Sequence, residues 1–212
     1  DELEVFVYLD SEGDPVPTTH RPAAELGQVA WLEVVSLSTV GAFVNWGLSK
    51  DLFIPFAEQQ HKLTEGRHTL VKVYLDNQGR LAVSTRVDHW IKDDSQGFKR
   101  GDKVKLIIAD RTELGFKAIV NHQYWGLLYS NELFQKVRKG QQIEGYIKQA
   151  RDDGRLDLTL TKPGFSKDRI KNVNDAILAA LEDNDGFITV TDKSPPEEIS
   201  AAFGVSKKVF KQ

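Results

Sequence analysis

Thirteen lysines and arginines face only eight acidic residues over residues 99–162, a balance of +5 in a chain whose net charge is −3. The side-chain alternation of this stretch sends Lys103, Lys105, Lys117, Tyr146, Lys148 and Arg155 outward, with Tyr129 and Arg151 beside them. Cations interleaved with flat phenol rings suit a phosphate-bearing chain, because ammonium and guanidinium groups meet phosphates while the rings offer platforms. A merely solvated charged surface is the competing reading. A second basic group, Lys207, Lys208 and Lys211, follows Ser206 near the C-terminus, with Glu197 and Glu198 nearby.

Catalytic patterns are absent. The chain has no HExxH, phosphate-loop, GxGxxG or GxSxG motif, and its five histidines show no pair at helical ligand spacing. The carboxylate pairs at 93–94 and 152–153 fall in a linker and a turn, where water is the natural partner. With no cysteine there is neither a disulfide, a thiolate metal site nor a cysteine nucleophile. The expectation is a protein without catalytic residues, metal or cofactor.

Two strand-rich copies must position the cations. Gly27-Gln-Val-Ala-Trp-Leu32 is matched by Gly101-Asp-Lys-Val-Lys-Leu106, and a second glycine follows fourteen residues later in each, Gly41 and Gly115. Phe53-Ile-Pro-Phe-Ala-Glu58 is matched by Leu127-Leu-Tyr-Ser-Asn-Glu132, and Gly66 by Gly140. Each copy closes on a hairpin whose turn carries Asn77-Gln-Gly79 or Asp152-Asp-Gly154, the residues a left-handed turn needs. Val71, Val73 and Leu75 alternate with Lys72 and Tyr74, and Leu156, Leu158 and Leu160 with Asp157 and Thr159, as half-buried antiparallel strands do. Such copies predict five-stranded barrels of the OB type. Val7-Tyr-Leu-Asp10 repeats Val73-Tyr-Leu-Asp76, so residues 1–20, with six acidic groups and no basic one, read as the last hairpin of a further copy.

From Ser166 the period becomes helical, through Ile170, Val173, Ile177, Leu178 and Leu181. A short strand at Phe187-Ile-Thr-Val190 is expected next. Then come a helix capped by Ser194 and a turn at Gly204-Val-Ser206 into a further helix, the front of a winged helix-turn-helix. The expected organisation is a partial barrel over 1–20, barrels over 21–92 and 99–162, and a winged helix over 166–212 that stops within its recognition helix. The class is mainly β, with an α/β tail. A chain that starts at Asp1 and holds no methionine is expected to be a piece of a longer protein, or one from which methionines are missing. An acidic N-terminus and the lack of any long apolar run predict a cytoplasmic protein without a membrane partner.

The glycine-led strand, Gly41-Ala-Phe-Val44, the Phe53–Glu58 segment and the Asp76–Arg80 hairpin resemble the S1 RNA-binding domain. Together with Tyr124-Trp-Gly-Leu-Leu-Tyr129, Thr191-Asp-Lys-Ser-Pro-Pro-Glu-Glu-Ile199 and Phe203-Gly-Val-Ser-Lys-Lys208, the whole chain resembles the bacterial CvfB/YitL family. The resemblance implies tandem S1-like barrels, a C-terminal winged helix, and single-stranded RNA as partner, with effects on gene expression and virulence. It implies base stacking at Phe43, with Tyr74, Asp76 and Arg80 on the hairpin side; Pro55 replaces a histidine common in S1 domains, and Lys117 takes the stacking position in the second copy. Tyr124 and Trp125 are expected to serve packing. A protein-interaction adapter, for instance at the ribosome, and a winged-helix DNA-binding regulator are the alternative functions.

Overall fold

The computed structural model describes residues 3–10, 12–133, 135–162, 174, 176–184 and 186–211. An N-terminal hairpin pairs β1 (Phe6–Leu9) with β2 (Pro15–Thr18). The first barrel follows, from β3 (Val29–Leu37), β4 (Gly41–Asn45), β5 (Leu52–Pro55), β6 (His68–Leu75) and β7 (Leu81–Ser84). The second uses β8 (Lys103–Arg111), β9 (Gly115–Val120), β10 (Tyr124–Tyr129), β11 (Gln142–Ala150) and β12 (Leu156–Thr159). Both close in the same cyclic order, the third strand running parallel to the fifth. The first strand of each also shifts register at the same place, between Val34 and Ser36 and between Ile108 and Asp110. A bulge there sharpens the bend that lets one strand pair on both sides of a closed sheet.

Inward positions fill the barrels. Val34, Val44, Trp46, Ile54 and Val71 pack the first, and Leu106, Ile108, Leu128, Leu156 and Leu158 the second. Leu75, at the end of its strand, is exposed. Three hairpin turns are superimposable in their bonding: the N–H groups of Gly13, Gly79 and Gly154 donate to the carbonyls of Asp10, Asp76 and Arg151. The residue four on, at 14, 80 or 155, closes each turn with its carbonyl. All three glycines sit at positive φ, which a side chain would resist.

In the tail, 176–182 are helical (α1), followed by α2 (Pro196–Phe203) and α3 (Lys207–Phe210). Ile199 and Val205 are buried among Ile177, Val190, Phe203, Val209 and Phe210. Ser166, Ile170 and Val173 lie outside the described residues. Two expectations are corrected here. Residues 187–190 form no strand: no strand pairs with them among the described residues, and the Phe187 N–H closes a turn onto the Asn184 carbonyl. Ser194 does not cap α2, because Pro195 and Pro196 occupy the cap and first turn. Its hydroxyl instead accepts the Thr191 N–H. Among the described residues no helix is long and apolar enough to cross a membrane.

Candidate nucleic-acid interface

The second, third and fifth strands of each barrel leave an outward groove, walled by the first loop and the closing hairpin. In the second barrel this groove, about 520 Å³, brings together Lys117 from β9, Tyr129 from β10, and Arg151 and Arg155 from the hairpin. Its lining holds three cations and three carboxylates, Asp93, Glu113 and Asp157. The Lys117 ammonium lies 3.6 Å from the centre of the Trp125 ring and 3.0 Å from Asp88. Arg151 reaches Asp153 at 3.0 Å and Asp157 at 4.0 Å, while the Tyr129 hydroxyl donates to Asp157 at 3.2 Å. Arg155 is exposed and forms no ion pair among the described residues. Lys148 borders the groove, 5.4 Å over the Tyr129 ring and 2.5 Å from Glu132.

The expectation of one continuous basic face is corrected by the other three residues. Lys103, Lys105 and Tyr146 lie on the β8–β11 ribbon and do not line the groove. Lys103 pairs there with Glu144 at 2.8 Å, and that carboxylate raises its pKa. The cause is geometric: outward residues of a closed sheet point away from its axis in every direction, so alternation separates inside from outside and nothing more.

The corresponding groove of the first barrel, about 570 Å³, carries Phe43, Asp76 and Arg80, and the N-terminal hairpin forms one wall. Phe43 is half-buried, its ring 5.2 Å from that of Phe53 across the strand pair. Four carboxylates (Asp10, Glu12, Asp51 and Asp76) meet two cations in this lining, and both cations are engaged. Arg80 donates twice to Asp76, at 2.9 and 2.8 Å, and Lys50 donates to the carbonyls of Leu9 and Asp10. The Arg80 N–H and then its guanidinium hold the Asp76 carboxyl below its ordinary pKa. Tyr74 does not line the groove. Its ring packs on Trp90 at 5.3 Å, and burial, with Glu58 and Asp76 nearby, raises its pKa.

In the tail, Ser206 sits at the start of α3 without a side-chain cap. The Lys207 ammonium donates to the carbonyls of Lys193 and Ser194, and Lys211 stands 3.8 Å from Asp192. The Lys208 side chain lies outside the described residues. Phe53 and Asp157 are among the groove residues that the sequence did not single out; each sits on an outward position of a strand already aligned by the repeat. Trp125 is buried as packing requires, yet it also lines the groove.

Comparison with known families places two modules on this frame. The S1 domain matches residues 26–86, the first barrel, and the CvfB-like winged helix domain matches residues 175–212. YitL of Bacillus subtilis is 26% identical over the whole chain, which spans 73% of that protein. Conserved virulence factor B of Staphylococcus epidermidis is 25% identical, again over the whole chain and 73% of its own length. Over its whole length the chain is thus similar to YitL and to conserved virulence factor B. A crystal structure of a Streptococcus pneumoniae multidomain protein with nucleic acid binding domains shares 23% identity over 98% of this chain and 76% of that one, with a TM-score of 0.40. The S1 and winged-helix domains that match residues 26–86 and 175–212 are of the nucleic-acid-binding kind.

Proposed function

We propose that this chain is a non-enzymatic, cytoplasmic RNA-binding regulator that holds single-stranded RNA in the groove of its second barrel and thereby affects gene expression. One observation carries the reading: Lys117, Tyr129, Arg151 and Arg155, drawn from two strands and a hairpin, converge on one groove. A base stacks on Tyr129 while the cations meet the phosphates on either side. Stacking tolerates any base, so the reading predicts weak sequence preference. The carboxylates in the groove oppose the phosphates, so affinity is modest and sensitive to salt.

The adapter alternative draws on the first groove, whose surplus of carboxylates and engaged cations suit a nucleic acid poorly. A titration with salt against single-stranded RNA, single-stranded DNA and duplex DNA separates the readings. The expected result is preference for single-stranded RNA. For Lys117→Ala with Arg155→Ala, the slope of log affinity on log salt should flatten by roughly 1.4, about 0.7 per lost phosphate contact. Preference for duplex would favour a DNA regulator, and no binding to any of the three would favour the adapter.

A further inference from the structure

Lys117 and Trp125 line two hollows at once: the groove of the second barrel and a cleft of about 290 Å³ between the two barrels. The far wall of that cleft belongs to the first barrel. Trp31, half-exposed on β3, lies there with the His68 ring stacked beside it at 6.3 Å and 24°. Across from it, Gly140 rests so close to the indole that a Cβ would overlap the ring. The neighbouring Lys139 holds its ammonium 5.9 Å from the ring centre.

We propose that single-stranded RNA bound in the second groove continues past Lys117 into this cleft, where a base stacks against the Trp31–His68 pair on the side that Gly140 leaves uncovered and Lys139 meets the adjoining phosphate. The proposal rests on the groove reading above and extends it by a subsite built from both barrels. Continuity is the first argument, since the two hollows share a lysine and a tryptophan. Chemistry is the second. Lys117 and Lys139 are each held by one exposed carboxylate, Asp88 at 3.0 Å and Asp110 at 3.1 Å. Exposed ion pairs of this kind are weak and exchangeable, so a phosphate can take the place of either carboxylate. Size is the third: the volume stands at the small end of ligand sites, which suits one unstacked nucleotide and excludes a duplex.

The experiment uses the whole chain and fluorescently labelled single-stranded RNA of about five and about twelve nucleotides, since OB-type barrels take ~4–16 nucleotides each. Trp31→Ala should weaken binding of the longer RNA by roughly 5- to 150-fold, the loss of one stacked base, and leave the shorter RNA nearly unchanged. Trp31→Phe, which keeps a π face and the packing, should retain most of the affinity. Lys139→Gln should flatten the salt slope for the longer RNA by about 0.7 and leave that for the shorter one alone. Circular dichroism checks that each variant folds. Should Trp31→Ala not fold, Lys139→Gln with the length comparison decides. Unchanged affinity and slope for the longer RNA in folded variants would overturn the cleft while leaving the groove intact. Failure of the unaltered chain to bind either RNA would overturn both.

Discussion

A phenylalanine and a lysine stand at the same point of two barrels, and the difference in their surroundings decides what each can hold. Phe43 faces Phe53 across β4 and β5, and Lys117 faces Leu127 across β9 and β10. Around Phe43 the cations are spent on Asp76 and on backbone carbonyls; around Lys117 the nearby Arg155 stays unpaired among the described residues. If Phe43 stacks a base, Phe43→Ala should cost about 1–3 kcal/mol of RNA affinity with little change in melting temperature, because its ring lines the groove. Phe43→Tyr should retain binding. A melting temperature that drops sharply at constant affinity would instead assign Phe43 to packing against Phe53. The acidic lining leads us to expect a smaller loss here than in the Lys117 and Arg155 double variant, measured side by side.

At the scale of strands, the repeat glycines mark where two backbones approach each other. A Cβ on Gly115 would run into the Leu128 carbonyl oxygen, and one on Gly41 into that of Ile54 and the Phe53 ring. At Gly145 the nearest obstacle is the end of the Leu106 side chain rather than a backbone atom. Gly115→Ala should therefore cost about 1–3 kcal/mol by overpacking, and urea denaturation should rank it above Gly145→Ala; equal losses would refute the backbone argument. These glycines were legible in the sequence because a steric demand leaves one residue type. The hairpin turns were legible for the same reason, and so were the inward valines and leucines. Lys103, Lys105 and Tyr146 show the limit, since their outward parity is right but the side of the barrel they occupy depends on closure. Ser194 shows another: a good capping residue lost its place to two prolines that fix the first turn. The residues at 187–190 have strand-forming types, but a strand also needs a partner, which local sequence does not specify.

At the scale of the whole molecule, the two barrels are joined by a seam that sets how their grooves and the cleft line up. Val29, Leu70, Val87 and Ile91 meet Ile107, Ala109, Ile119 and Trp125 in one buried cluster. Lys92 of the connecting segment also exchanges backbone bonds with Gln123 and Trp125. The turn between β9 and β10 enters this seam with two non-glycine residues at positive φ, Asn121 at 48° and His122 at 62°. Such conformations cost roughly 1–3 kcal/mol each, and here they deliver an imidazole to the other barrel. His122 Nδ1 lies 3.0 Å from the Val29 N–H and 3.1 Å from the Val29 carbonyl oxygen, accepting from the first when neutral and donating to the second when protonated, while the buried Lys72 ammonium donates to the His122 carbonyl at 3.0 Å and to the Gly27 carbonyl. Burial first, and then the positive charges of Lys72 and Lys105, push the His122 pKa below its usual 6.5, against an opposing pull from the Val29 backbone. The folded seam thus favours neutral imidazole, and the unfolded chain takes up its proton first as pH falls. The stability this supplies is complete above the unfolded value near 6.5 and is lost as pH drops from there through the folded value. Thermal unfolding should show the chain losing stability as pH falls from 6.5 through the lowered folded value. His122→Asn keeps a left-handed residue with an acceptor for the Val29 N–H but removes the titrating group, so it should lose less over that interval. An identical pH dependence in the two proteins would place the titrating group elsewhere and leave His122 a purely geometric link between the barrels.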